Sequence, residues 1–289
     1  MKPSPFEYLR AHTVEEAVAA LASTKGDAIL LAGGQSLMPM MNLRLVAPER
    51  VIDISALQDL NYIQSSDGSL SIGAVTKHNV VLRSDLVAKH CPLVSEGYGH
   101  VAHETIRNRG TIGGSICHND PASEMPLVLT VMDAVMTVAG TSGERQIAAT
   151  DFFIDMMETS LKPGEMLTKI TMPNQDAGEG YAFEEVSQRK GDFAIVAAAT
   201  RFSVNGGLFR NVRFGLGGAG ADKKRFQAVE AAIEGQPVDE ATISNALLVA
   251  VAEAAPDEDI HSDVQYKLDL VATLGRRVIE RAVAMTSAD

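Results

Sequence analysis

Residues 110–124 concentrate more potential chemistry than any connecting segment needs. Gly110, Gly113 and Gly114 stand among the hydroxyls of Thr111, Ser115 and Ser123, with His118, Asp120 and Glu124 following closely. Glycine lets a backbone approach a ligand and present bare N–H groups, which suit phosphate oxygens. A second stretch of the same kind lies upstream: Ala32, Gly33, Gly34, Gln35, Ser36 and Leu37. Two Gly-Gly-polar loops in one chain suggest an extended ligand with a phosphate in its middle. Either loop alone is equally well read as a tight turn.

Other patterns compete with these loops. His118, Asp120 and Glu124 are of metal-ligating type, but their spacing matches no common zinc or iron pattern. The same side chains suit hydrogen bonds to a ribityl chain or a ribose. Gly215, Gly217 and Gly220 form a G-x-G-x-x-G string after a predicted strand. A dinucleotide fingerprint would open its helix within the glycines and lead to a second parallel strand. Here Asp222, Lys223, Lys224 and Arg225 begin a helix after the glycines, and no apolar strand follows before Pro237. The string therefore reads as a glycine-rich strand end against which another backbone packs. No G-x-S-x-G elbow supports a serine nucleophile. Met38, Met40 and Met41 surround Pro39, and such a group fills an irregular core more often than it lines a flat ligand.

Composition narrows the function class. Lys and Arg number 25 against 37 Asp and Glu, a net charge of -12. Nucleic-acid phosphates call for the opposite balance, so no nucleic-acid partner is expected. No apolar run near Met1–Tyr8 resembles a signal peptide, and no segment of about 18 apolar residues predicts a membrane span. Cys91 and Cys117 suit a reducing cytoplasm and cannot supply a four-thiolate cluster. Any iron–sulfur centre must therefore belong to another chain.

The elements that would position the loops follow from periodicity. Thr13 and Glu16 form a capping box before Val14, Ala17, Val18 and Leu21, predicting a helix over 13–24. The apolar run 28–32 reads as a strand buried on both faces, opening into the first glycine loop. Residues 51–54 read as the next strand, so the first 55 or so residues make a small parallel α/β unit. Residues 70–74 are a half-buried strand, and Thr76 can cap a helix over 79–82. Further helices are expected within 86–103 and over 127–132, with strands at 134–139 and 166–172. A polar, glycine-bearing segment, 174–180, predicts a domain boundary. Strands at 181–189, 196–204 and 209–215, then helices near 223–234, 239–254 and 264–285, predict a C-terminal α+β domain. The turn Arg189–Phe193 is either ordinary solvent-exposed chemistry or the carrier of an aromatic to one face of a bound ring.

The two loops together resemble the FAD-binding motifs of the medium subunits of molybdenum hydroxylases of the xanthine oxidase and bacterial carbon monoxide dehydrogenase type. His100–His103, Arg107–Gly110 and Lys190–Ala194 fit the same pattern, and the resemblance covers essentially the whole chain. It implies an α+β fold: a two-part FAD domain over 1–175 (a small parallel unit, about 1–55, and a larger mixed unit, 56–175), then a C-terminal domain over 176–289. Ala32, Gly33, Gly34, Gln35, Ser36 and Leu37 would hold the pyrophosphate. Thr111, Gly113, Gly114 and Ser115 would form a second wall. His118 and Asp120 would lie near the flavin, and Glu124 would hold a ribose or ribityl hydroxyl. Val101, Ala102 and Leu161 would pack beside the ring, with Phe193 where relatives often have a tyrosine. No side chain is assigned as a catalytic acid or base. Molybdopterin and two [2Fe-2S] clusters would belong to a large and a small partner subunit, in a dimer of heterotrimers that reduces an external acceptor in the cytoplasm. A stand-alone flavin oxidase and an FAD-free assembly subunit are the alternatives. The sequence departs from the family at Glu184 and Glu185, about where several relatives carry a lysine close to the flavin. Loss of that cation would lower the flavin potential or change the acceptor.

Overall fold

The computed structural model describes residues 2–24, 27–220 and 224–286. The chain begins with a three-stranded parallel sheet in which Arg50–Asp53 lies between Glu7–Arg10 and Ala28–Leu31. The helix Val14–Ser23 packs Ala17, Val18 and Leu21 onto Ile52. Thr13 caps it by accepting from the Glu16 N–H at 3.1 Å. Glu16 reaches past Thr13 to the His12 N–H, at 2.7 Å, so the reciprocal half of the expected capping box is displaced by one residue. Ala28–Leu31 is an edge strand whose four residues are all half-buried, not a strand covered on both faces. The strand Glu7–Arg10, unforeseen because its four residues are all exposed, is tied to the central strand by Asp53. That carboxylate accepts from the Tyr8 hydroxyl at 2.5 Å and from Arg10 at 3.0 Å.

The second unit is a five-stranded antiparallel sheet. Its order is Ile63–Ser66, Ser69–Gly73, Met166–Pro173, Val135–Gly140 and Gly143–Ala148. Ala139 and Met166 from this sheet share a core with Ile52 and Leu21, which joins the two units. The strands 63–66 and 143–148 carry too few apolar residues to be legible alone. Thr76 does not cap the next helix, His78–Leu82. Its hydroxyl bonds instead to the backbone N–H and carbonyl of Tyr62, because the β-hairpin brings those groups within 3.1 Å.

The helices Asp85–His90, Pro92–Tyr98 and Glu104–Arg107 follow. The stretch 110–124, expected as a loop, contains the helix Ile112–His118 and the first residue of the helix Glu124–Val131. All eight residues of Glu124–Val131 are buried, since one side meets Pro92–Tyr98 and the other meets the C-terminal sheet. That sheet is the antiparallel meander Gly180–Ser187, Ala194–Asn205 and Leu208–Gly217. The helices Gln227–Ile233, Glu240–Glu253 and Val264–Thr286 complete this α+β part, and the apolar stripe of Val264–Thr286 packs on the first two strands. Asp222 and Lys223, the expected start of the helix near 223–234, lie outside the described residues; Arg225 is extended and bridges to Gly215.

Asp133 fastens the buried helix to the C-terminal sheet. It accepts from Arg201 at 3.0 Å, Arg213 at 2.7 Å and Arg225 at 2.5 Å, while Arg201 also donates to the Val131 carbonyl at 3.0 Å. Burial would raise the Asp133 carboxyl, but the Arg213 hydrogen bond and the three guanidiniums hold it below its ordinary value. Its φ of 53° is one that Asn adopts at least as readily as Asp. Asp133→Asn should therefore destabilise the protein by about 2–3 kcal/mol through charge loss alone, after discounting for partial exposure. Urea unfolding would check this. The difference from the parent should be full above the ordinary carboxylate range and vanish as pH falls through the lowered Asp133 value.

Candidate functional site

The first glycine loop continues from the C-terminal end of the edge strand and runs into the helix Leu37–Asn42. Gly34 takes φ of 72°, which an L side chain rarely adopts. This turn directs the carbonyls inward. Gly33 O accepts from the Gln35 amide at 3.2 Å, Gly34 O from the Met38 N–H, and Ser36 O from the Met40 N–H. Among the described residues, nothing accepts from the N–H groups of Gly33, Gly34, Gln35, Ser36 and Leu37. Successive unpartnered N–H groups around a left-handed residue make an anion-binding concavity. Of the three methionines beside the loop, Met41 is buried and Met38 and Met40 are half-buried. Only one of them is therefore core filling.

The second glycine stretch meets the first directly. A β-carbon on Gly33 would lie 2.6 Å from Gly110 Cα and closer still to the Arg109 carbonyl. A β-carbon on Gly114 would touch that of Ala32 at 3.8 Å. Thr111 caps the helix Ile112–His118, accepting from the Gly114 N–H at 3.2 Å. The neighbouring N–H groups are also engaged: Ile112 donates to Thr76 O, Gly113 to Ala74 O and Ser115 to Thr111 O. This wall therefore has few N–H groups to offer, whereas the first loop has five. Gly113 is needed for packing, since its β-carbon would stand 2.5 Å from Ala74 O. The Ser115 hydroxyl faces that of Ser123 at 3.3 Å.

The remaining candidates surround this pair of loops unequally. Val101 is buried, and Ala102 takes φ of 48°. Arg107 clamps the carbonyls of both, at 2.9 and 2.6 Å, and is itself braced by Asn79 at 3.2 Å. The turn Arg189–Phe193 leans on the same segment, for a β-carbon on Gly191 would lie 2.5 Å from the His103 ring and 3.0 Å from Ala102 O. Next to it, the Ala194 N–H donates to Ala122 O at 3.4 Å. Phe193 thus stands between the Ala102 segment and the 120–124 loop, 59% exposed despite being aromatic. Leu161 is half-buried on the same core as Ala102 and Cys117. His118 ends its helix half-buried, and Asp120 folds back on the Ala122 N–H at 2.9 Å. Among the described residues, no three His, Cys, Asp or Glu side chains converge as a metal site.

Asn119 and Arg107 carry positions that motif reasoning did not assign. Asn119, with φ of 46°, donates from its buried amide to Asp155 O and Glu158 O, at 2.7 and 2.9 Å, and so fixes the start of the 120–124 loop. An Asn directly after a helix is the available sequence signal, because it tolerates the left-handed cap. Glu124 is only 4% exposed; burial first, then the nearby acids Glu185 and Asp120, push its carboxyl up to about 7. Glu184 and Glu185, the two acids in the segment where the resemblance led a cation to be expected, each have a basic side chain opposite them: Arg281 on Glu184 at 3.0 Å and His100 on Glu185 at 3.2 Å. A separate open groove of about 660 Å³, lined by Ile63, Lys77, Val80 and Arg83 among others, contains none of the candidate residues. At Gly215–Gly220, the packed backbones are those of Lys224 against Gly215 and Ile195 against Gly218.

Comparison with known proteins decides what the paired loops belong to. Residues 4–175 match the family described as "FAD binding domain in molybdopterin dehydrogenase", and residues 181–282 match "CO dehydrogenase flavoprotein C-terminal domain". The chain belongs to the FAD-binding subunits of the molybdenum hydroxylases. It is 35% identical to the 6-hydroxypseudooxynicotine dehydrogenase complex subunit alpha of Paenarthrobacter nicotinovorans, over 98% of this chain and 96% of that one. It is 33% identical to the carbon monoxide dehydrogenase medium chain of Afipia carboxidovorans, over 98% and 99%. The carbon monoxide dehydrogenase structure from Hydrogenophaga pseudoflava superposes with a TM-score of 0.96 at 35% identity, covering 99% of both chains. Quinoline 2-oxidoreductase from Pseudomonas putida gives 0.92 at 34%, covering 99% of this chain and 100% of that one. The cofactor of this FAD-binding subunit is accordingly FAD, and the bare N–H groups of the first loop fit a pyrophosphate.

The Gly33 contact yields a sharp expectation. Gly33→Ala must separate the first loop from Arg109–Gly110, so FAD per chain should fall about tenfold or more at equal chain concentration. Flavin released by denaturation and measured by fluorescence would check this.

Proposed function

We propose that this chain collects electrons from two [2Fe-2S] clusters of a small partner subunit and delivers them to an external acceptor. Molybdopterin would sit on a large partner subunit, the assembly would be a dimer of heterotrimers, and its place the cytoplasm. The observation that carries the reading is the row of five N–H groups from Gly33 to Leu37, unpartnered among the described residues and facing the Thr111–Ser115 helix. An FAD-free assembly subunit would have no use for such a concavity. The names of relatives support a subunit over a stand-alone oxidase, for they call matching chains of nearly equal length a subunit or a medium chain. Among the described residues no helix is long and apolar enough to cross a membrane.

FAD, when bound, supplies the redox chemistry itself. The chain's own residues bind and orient. In this assignment the N–H groups of Gly33–Leu37 hold the pyrophosphate oxygens, with Ala32 and Gly114 as the floor between the loops. Thr111 and Gly113 position that floor by capping and packing, and Ser115 and Ser123 present hydroxyls beside it. Glu124 accepts a ribose or ribityl hydroxyl. Val101, Ala102, Leu161 and Phe193 flank the ring system, and His118 and Asp120 line its rim. Arg107 keeps Ala102 in its left-handed conformation, and the exposed edge of Phe193 gains a partner only from a bound ring. The domain division at 175/176, with an inner division near 55/56, is part of the same proposal.

The purified chain should absorb at about 450 nm, as an oxidised flavin does, and affinity purification should bring down one large and one small protein. A colourless chain that takes up no FAD would sink the reading, and a stable, active lone chain would overturn the complex. Gly114→Val, which thrusts a branched side chain at Ala32, should abolish FAD binding; retained stoichiometric flavin would contradict the site assignment.

A further inference from the structure

The acids behind the candidate site are arranged in a way that FAD binding alone does not require. Glu124 opens a helix that is buried throughout, and no hydrogen-bond donor from another residue reaches its carboxylate among the described residues. Glu185, on the C-terminal sheet, has one oxygen on His100 Nδ1 at 3.2 Å; its other oxygen, Oε2, is fully buried and has no partner among the described residues. His100 follows the helix Pro92–Tyr98 and packs its ring edge-on against Phe183, 5.1 Å between centroids. Three elements from the two halves of the chain therefore converge on two buried carboxylates and one imidazole.

The surrounding groups leave this cluster short of positive charge. On the helix Pro92–Tyr98, Glu96 is taken by Arg281 and Tyr98 is a buried, neutral phenol beside His78. On the C-terminal sheet and its helix, Glu184 is shared by Arg281 and Arg277, at 3.0 and 3.8 Å. From the 120–124 loop, Asp120 adds another negative charge. His100 lies on Glu185 at 3.2 Å, and that hydrogen bond, working against burial, raises the affinity of its imidazole for a proton. A carboxylate that is nearly without solvent, receives no donor from another residue and has further acids nearby stays ionised only at a large penalty.

We infer that Glu124, buried near the Glu185–His100 pair, carries a proton before FAD binds and releases it to solvent when its carboxylate accepts a hydroxyl from FAD. This rests on the assignment of Glu124 as a hydroxyl acceptor. A hydroxyl donor favours the ionised carboxylate, so FAD affinity rises with pH and binding expels a proton. Glu124 then couples cofactor loading to pH, and His100 sets where on the pH scale the coupling falls.

The test uses the full chain in its purified complex, freed of flavin and titrated with FAD. With Glu124 pushed up to about 7, affinity should tighten about tenfold from about pH 6 to about pH 8. Calorimetry in two buffers of different ionisation enthalpy should show about half a proton released near neutrality. Glu124→Gln should bind FAD with an affinity that no longer varies with pH. His100→Gln removes the adjacent cation, so the midpoint of the pH dependence should move upward; a packing defect alone would weaken binding equally at every pH. Flavin bound with flat pH dependence and no proton release overturns the linkage alone, as does a Glu124→Gln chain as pH-dependent as its parent. No flavin bound at any pH overturns the FAD assignment as well.

Discussion

The absence of a side chain at Gly33 permits the contact on which the rest of the site depends. The first glycine loop and the Arg109–Gly110 segment approach until no β-carbon fits between them. That contact joins the small parallel unit to the larger antiparallel one at the point where both present their glycines. Interiors at crystal-like density have no slack to absorb a methyl group there. Gly113 repeats the device one layer deeper, on the carbonyl of Ala74. Each wall of the cleft is thus positioned by backbone packed on backbone, which is stiffer than side-chain contact.

A division of labour between the walls follows from their hydrogen bonds. In the Thr111–Ser115 wall the N–H groups are spent on Thr76, Ala74 and Thr111, and the wall is rigid for that reason. In the Gly33–Leu37 loop the carbonyls of Gly33, Gly34 and Ser36 are satisfied, and among the described residues the N–H groups are bare. Opposite polarity in adjacent loops gives the cleft one anion-seeking side and one fixed side. The glycine spacing of the two loops is similar, and only the hydrogen-bond pattern distinguishes them.

The C-terminal part contributes more than a cap. Its sheet covers the buried helix Glu124–Val131, Asp133 collects three arginines to hold that sheet in place, and Gly191 sets the turn that carries Phe193 against the Ala102–His103 segment. The same packing strips water from Glu124 and Glu185. Charge placed at a seam between two structural units responds to whatever enters the neighbouring cleft, because a low-dielectric surrounding magnifies each added hydrogen bond.

Much of this was legible in the order of residues. Thr13 before an apolar face marks a helix, Gly33-Gly34 after an apolar run marks a strand opening into a loop, and the three C-terminal strands followed by helices mark an α+β unit. These are local matters, decided by periodicity, capping and turn chemistry within a few residues. What lay beyond reach depends on partners distant in sequence. Thr76 has the chemistry of a cap, yet Tyr62 takes its hydroxyl; Ala28–Leu31 has the composition of a central strand, yet Arg50–Asp53 is the strand with a neighbour on both sides. Gly33 against Arg109, Asn119 against Asp155, and Glu185 against His100 are separations that no window of sequence spans. The sequence by itself determined which segments could fold and which loops could receive a phosphate. The tertiary structure decided which N–H groups stay free and which carboxylates lose their water, because both depend on what packs against them from elsewhere in the chain.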